Sequence, residues 1–167
     1  MIRGDAVRGG DESCSGATSG IKLLYHEQRM TSTKEPLLTG RVEIRVRYAE
    51  CDPMGVAHHT VYPVWFEMGR TELCRDTGIS YRELETSGVF LAVVRLEVRY
   101  DAPARYDDQL QLETSLMRAT RVKLEHEYRL MRDGLRLTRA TSTLACLDAD
   151  GRLQALPDPL LERFTGC

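Results

Sequence analysis

No two cysteines in this sequence stand in CxxC spacing, although there are five of them, Cys14, Cys51, Cys74, Cys146 and Cys167. An odd and scattered set is neither a disulfide framework nor a zinc-ligand set, and it reads as the reduced thiols of a cytoplasmic protein. An excess of charge is missing too: 23 Lys and Arg stand against 25 Asp and Glu, a net charge of -2. There is thus no footprint for nucleic acid, and no Lys/Arg run that would hold the chain to a membrane surface. No apolar run approaches the roughly 20 residues of a spanning helix. The amino terminus lacks a continuous apolar stretch after a basic start, so no secretory leader is expected. Internal repeats are absent. What remains is a chain of 167 residues, enough for one domain with a single core.

The first forty residues are poor in groups to bury. Residues 4–20 are rich in Gly, Ser and Asp, which predicts a disordered extension over 1–39, with a short helix conceivable at 21–29 and Met30 as a second candidate start. The folded domain is expected over 40–167. Deletion of the extension should then leave folding unchanged.

From there the pattern becomes periodic. Val42, Ile44, Val46 and Tyr48 alternate with Glu43, Arg45 and Arg47, the mark of a half-buried strand. Residues 59–78 turn helical, with Val61, Val64, Trp65, Met68 and Leu73 as the predicted buried stripe. Thr60 is a candidate cap, Pro63 suits a first turn, and Gly78 suits a stop. Ser80 and Glu83 have the spacing of a capping box for a second, short helix. Four further strands follow. The first, over 89–100, changes phase at Val93-Val94, which predicts a bulge. Asp133-Gly134 marks a hairpin turn between the last two, and 157–164 suits a terminal helix. One strand, one long helix and four strands in tight succession specify an α+β domain. Its five-stranded antiparallel sheet must bury one face, and the long helix is the element available to cover it.

The first strand and the helix are joined by the most informative stretch. Asp52-Pro53 initiates a turn, and Gly55 permits backbone angles that other residues avoid. A carboxylate here faces the unpaired N–H groups of a helix start. A base set beside ready-made oxyanion donors is what acyl transfer requires.

Two segments carry a resemblance to a known family. One is Tyr48-x-x-x-Asp52-x-x-Gly55-Val56 followed by Tyr62-x-x-Trp65-Phe66-Glu67; the other is Tyr100-Asp101-Ala102-Pro103-Ala104-Arg105-Tyr106-Asp107-Asp108. Together they resemble the 4-hydroxybenzoyl-CoA thioesterase-like family of hotdog-fold acyl-CoA thioesterases. The resemblance implies a hotdog fold, with the sheet wrapped around one central helix, and hydrolysis of an acyl-CoA or acyl carrier protein thioester without cofactor or metal. It places Asp52 at the family's catalytic carboxylate, as base or as nucleophile. The backbone N–H of His59 falls on the amide that polarises the thioester carbonyl. It also implies a homodimer or homotetramer with the site between subunits. Gly55, Val56 and His58 would line the substrate, and Arg121 and Lys123 would meet the phosphates of CoA. Glu67 is either a second acid at the thioester or an ordinary surface carboxylate. Two positions depart from the family pattern: Val61 where Asn is frequent, and His58 where an aromatic is frequent.

Rival readings are few. Adjacent His58 and His59 are expected to point apart, with no third ligand at metal spacing. Cys51 has no histidine partner that would make it a nucleophile and reads as a small structural hydrophobe. A hotdog hydratase or dehydratase needs a different arrangement of His and acid, and position 57 is Ala. A non-catalytic hotdog module that binds acyl-CoA or an acyl carrier has no need of Asp52.

Overall fold

The computed structural model describes residues 35–166. The extension, its expected disorder and the helix expected at 21–29 lie outside the described residues, apart from the last few positions before the first strand. Five strands form a single sheet: β1 (Leu38–Arg45), β2 (Phe90–Tyr100), β3 (Gln109–Ala119), β4 (Lys123–Arg132) and β5 (Leu135–Leu147). Their order is β1-β3-β4-β5-β2, and every pair is antiparallel. Between β1 and β2 the chain makes α1 (Val61–Asp76) and α2 (Tyr81–Thr86); α3 (Asp158–Thr165) follows β5.

The period-2 pattern sets the register. Leu110, Leu112, Thr114 and Leu116 of β3 are buried, as are Leu124, His126, Tyr128 and Leu130 of β4. The β4–β5 hairpin turns on Asp133 and Gly134 at φ of 49 and 79°, the left-handed pair that a two-residue turn demands. In β2 the pairing with β5 slips between Val93 and Arg95, where the sequence changes phase. Ser80 Oγ accepts from the Glu83 N–H at 3.3 Å and Glu83 Oε2 accepts from the Ser80 N–H at 2.7 Å, completing the capping box of α2.

Helix α1 packs over β1 and β3. Its buried face is Tyr62, Trp65, Phe66, Gly69, Arg70, Leu73 and Cys74. The predicted stripe is therefore corrected: Val64 and Met68 point outward. The aromatic rings decide the rotation, because Phe66 stacks on Tyr128 of β4 at 4.7 Å and Tyr62 meets Tyr100 of β2 edge-on at 4.9 Å. Gly69 allows the close approach: a Cβ there would overlap Thr114 Oγ1 and stand 2.7 Å from Leu112 Cδ2. Two further expectations fail locally. Tyr48 is exposed in a 3-10 turn, because β1 ends at Arg45 and the chain coils around Glu50. The Thr60 hydroxyl pairs with His58 Nδ1, at 2.8 Å, instead of capping α1.

Among the described residues one imidazole, that of His126, is buried. Burial, and then the Arg70 guanidinium, push His126 down from 6.5 to about 3. It is neutral when folded but takes a proton below pH ~6.5 when unfolded, so stability falls as pH drops from about 6.5 toward 3. The expected slope from this group is about 1.4 kcal/mol per pH unit. Urea titrations at pH 6.5 and 5.0 should show that loss in the wild type and a clearly smaller one in His126→Gln. Equal slopes would remove His126 as the cause.

Candidate active site

The site begins with a buried carboxylate that sequence reasoning missed. Glu50 accepts from the Arg47 backbone N–H at 2.7 Å, the Arg47 guanidinium at 2.6 Å and the Trp65 indole N–H at 3.2 Å. Burial alone would raise its pKa, but these bonds prevail and hold it below the ordinary carboxylate value. Glu50 thereby ties the end of the β1 segment to α1. Its carbonyl also accepts the His58 N–H at 2.8 Å, which closes the loop between them.

Inside that frame residues 51–57 form a tight turn. Cys51 and Ala57 make an isolated antiparallel bridge, the Asp52 N–H donates to the Val56 carbonyl, and the Gly55 N–H donates to the Asp52 carbonyl, both at 2.9 Å. Gly55 sits at φ 73°, which a side chain would strain. Asp52 Oδ1 accepts the Met54 N–H at 2.9 Å. Among the described residues no protein donor reaches its other oxygen.

The turn forms one wall of a cleft of about 360 Å³. Asp52, Val56 and Ala57 line it from the turn, and His59 and Tyr62 line it from the start of α1. The facing wall is the end of β2, Tyr100, with Asp101, Ala102 and Pro103 after it. Asp101 is a second carboxylate in the cleft, but Arg136 Nε donates to it at 2.8 Å. Asp52 makes no ion pair among the described residues. Nor does the His59 N–H find an acceptor among them, so the residues that line the cleft carry both a carboxylate free of ion pairs and an amide donor without a partner.

The predicted residues separate. Asp52, Val56 and His59 come together in the cleft, and Gly55 forms the turn beneath it. His58 stands just outside, its ring 4.2 Å from that of His59 and bonded to Thr60. The two rings do not point apart as expected, but no group of three His, Cys, Asp or Glu placed to hold a metal occurs among the described residues. Glu67 lies on the outer face of α1, exposed, and pairs with Arg70 at 2.8 Å. Arg121 pairs with Asp158 at 3.3 Å. Lys123 is level with Ala145 and so with Ala92, at the other end of the sheet from Tyr100. Eight residues of strand put it on the order of 26 Å from the cleft of its own chain.

The model of the thioesterase-like superfamily matches residues 46–164, which takes in the turn, α1 and the sheet from β2 onward. The chain belongs to that superfamily. Among its relatives, YneP of Bacillus subtilis is 36% identical over 109 residues, spanning 65% of this chain and 79% of that one. The acyl-CoA thioesterase YbgC of Haemophilus influenzae is 33% identical over 117 residues, 70% of this chain and 85% of its own. The DHNA-CoA thioesterase of Staphylococcus aureus superposes with a TM-score of 0.67 at 28% identity, covering 77% of this chain and 84% of that one. The superfamily member described here has the hotdog fold of these thioesterases.

Proposed function

We propose that this superfamily member hydrolyses an acyl-CoA thioester to a free carboxylic acid and CoA. The observation that carries the reading is the unpaired Asp52 carboxylate in the same cleft as the unused His59 amide. The thioester carbonyl oxygen would accept the His59 N–H, which favours the oxyanion as it forms. Asp52 acts on the carbonyl carbon in one of two ways. As base it takes a proton from a water whose oxygen bonds to that carbon. As nucleophile its oxygen bonds to the carbon directly, and the resulting mixed anhydride is then hydrolysed by water. In both, the C–S bond breaks, and the CoA sulfur leaves as a thiolate that is then protonated. The relatives named as thioesterases of CoA esters support the substrate class. An acyl carrier protein thioester presents the same reacting group.

Two features support a homodimer or larger assembly. β2 is an edge strand whose Val93, Val94 and Leu96 are exposed, and α1 presents Val64 and Met68 outward. A bare apolar edge of this kind favours pairing with another chain. In such an assembly Lys123, and Arg121 two residues before it, would meet CoA phosphates from the partner, given the distance of Lys123 from the cleft of its own chain. No helix of the described residues is long and apolar enough to cross a membrane, and a cytoplasmic enzyme is proposed.

The test is a thiol-release assay of the purified chain against short, long and aromatic acyl-CoAs. Release from at least one class is expected, from a species that light scattering sizes as a dimer or larger. Binding of acyl-CoA without release from any would favour the non-catalytic module, and an active monomer would contradict the shared site.

A further inference from the structure

The His59 amide can stabilise an oxyanion only if the peptides around it are held still. The turn that leads into α1 starts with the Val61 N–H donating to the His58 carbonyl at 2.9 Å. The His59 carbonyl lies one residue before the cap position, Thr60, and so outside the intrahelical bonding of α1. The His59 carbonyl is satisfied from outside the helix instead: the Tyr100 hydroxyl donates to it at 3.1 Å.

Tyr100 is well placed for this. It is the last residue of β2 and pairs with Thr138 of β5. The Asp101 and Ala102 N–H groups both donate to the Leu137 carbonyl, at 2.8 and 3.0 Å, which fixes the chain just beyond it. Its ring meets the buried Tyr62 ring edge-on at 4.9 Å. The hydroxyl is thus carried on the sheet and reaches across the cleft to the helix start.

We infer that Tyr100 is a positioning residue, whose hydroxyl holds the His59 carbonyl across the cleft and so fixes the segment that presents the His59 amide to the thioester carbonyl. The inference rests on the thioesterase reading. Tyr100 acts through His59 and need not touch the reacting atoms. Tyr100 is about half exposed, 49%, so removal of the hydroxyl leaves the His59 carbonyl to water and costs the fold little. What is lost is orientation, and small misplacements in a site are worth on the order of 10- to 100-fold in rate.

Tyr100→Phe is the test. With the preferred acyl-CoA, kcat should fall about tenfold, KM should stay within about twofold, and the urea midpoint should not move. In 15N–1H spectra of the isotopically labelled protein, the His59 amide resonance should shift or broaden while those of β3 and β4 stay in place. Unchanged kcat with an unchanged His59 resonance would overturn the inference, as would a rise in KM alone, which would make Tyr100 a wall for the substrate. A wild-type protein inactive on every acyl-CoA would defeat the thioesterase reading instead. The His59 resonance would then decide the placement of the peptide by itself.

Discussion

Trp65→Ala is expected to lower the unfolding free energy by about 3–5 kcal/mol, the range for truncating a fully buried large aromatic. Trp65 is 1% exposed and lies in the core cluster with Tyr62, Phe66, Leu112 and Tyr128. The indole also donates to Glu50. Its removal also strips a buried carboxylate of one donor, which accounts for about 1–3 kcal/mol of that total. Domains of this size have only about 5–15 kcal/mol to lose. Trp65→Phe separates the two effects, since it keeps most of the ring volume and deletes the N–H; it should cost less than half as much. Urea denaturation at pH 7 measures both. A loss below about 1 kcal/mol for the alanine variant would mean that the pin between Glu50 and α1 carries little. Because the His58 N–H donates to the Glu50 carbonyl, a loosened pin should also disorder the turn that holds Asp52.

Glu50 shows where reading the sequence reached its limit. In the strand pattern it is one more polar residue after Tyr48, and nothing local marks it as buried. Its partners are Arg47, three residues back, and Trp65, fifteen residues on, and only the folded chain brings the indole to it. Tyr100 illustrates the same limit. It was legible as a strand residue and as part of a family segment, but its bond to His59 spans 41 residues. By contrast, the short-range signals were faithful apart from the cap expected at Thr60. The Asp52-Pro53-Met54-Gly55 turn, the Ser80–Glu83 box, the Asp133-Gly134 hairpin and the phase change at Val93 each depend on the conformational limits of a few adjacent residues. The face of α1 lies between these cases. Counting apolar residues favoured Val64 and Met68, whereas packing selected Phe66 and Gly69, because only a bare backbone at 69 lets the helix settle against Thr114. Val64 and Met68 remain apolar and outward, which is where the proposed partner chain would account for the pattern.

The largest effect is expected at Asp52. Asp52→Asn preserves the side-chain shape but removes the charge, and with it the capacity to take a proton from water or to bond to a carbonyl carbon. The side-chain oxygen of the variant can still accept the Met54 N–H, so the turn should keep its form. The His59 amide and the β2 wall are untouched, so acyl-CoA should still bind and KM should change little. A positioned acid–base group is worth about 10²–10⁴ in rate. The decisive measurement is therefore kcat for thiol release by Asp52→Asn beside the wild type, on the acyl-CoA the wild type prefers. A fall of about 10²–10⁴ with KM nearly constant is the predicted result. An Asp52→Asn variant that releases CoA within about threefold of the wild-type rate would contradict the account, and would direct attention to Asp101, the other carboxylate of the cleft.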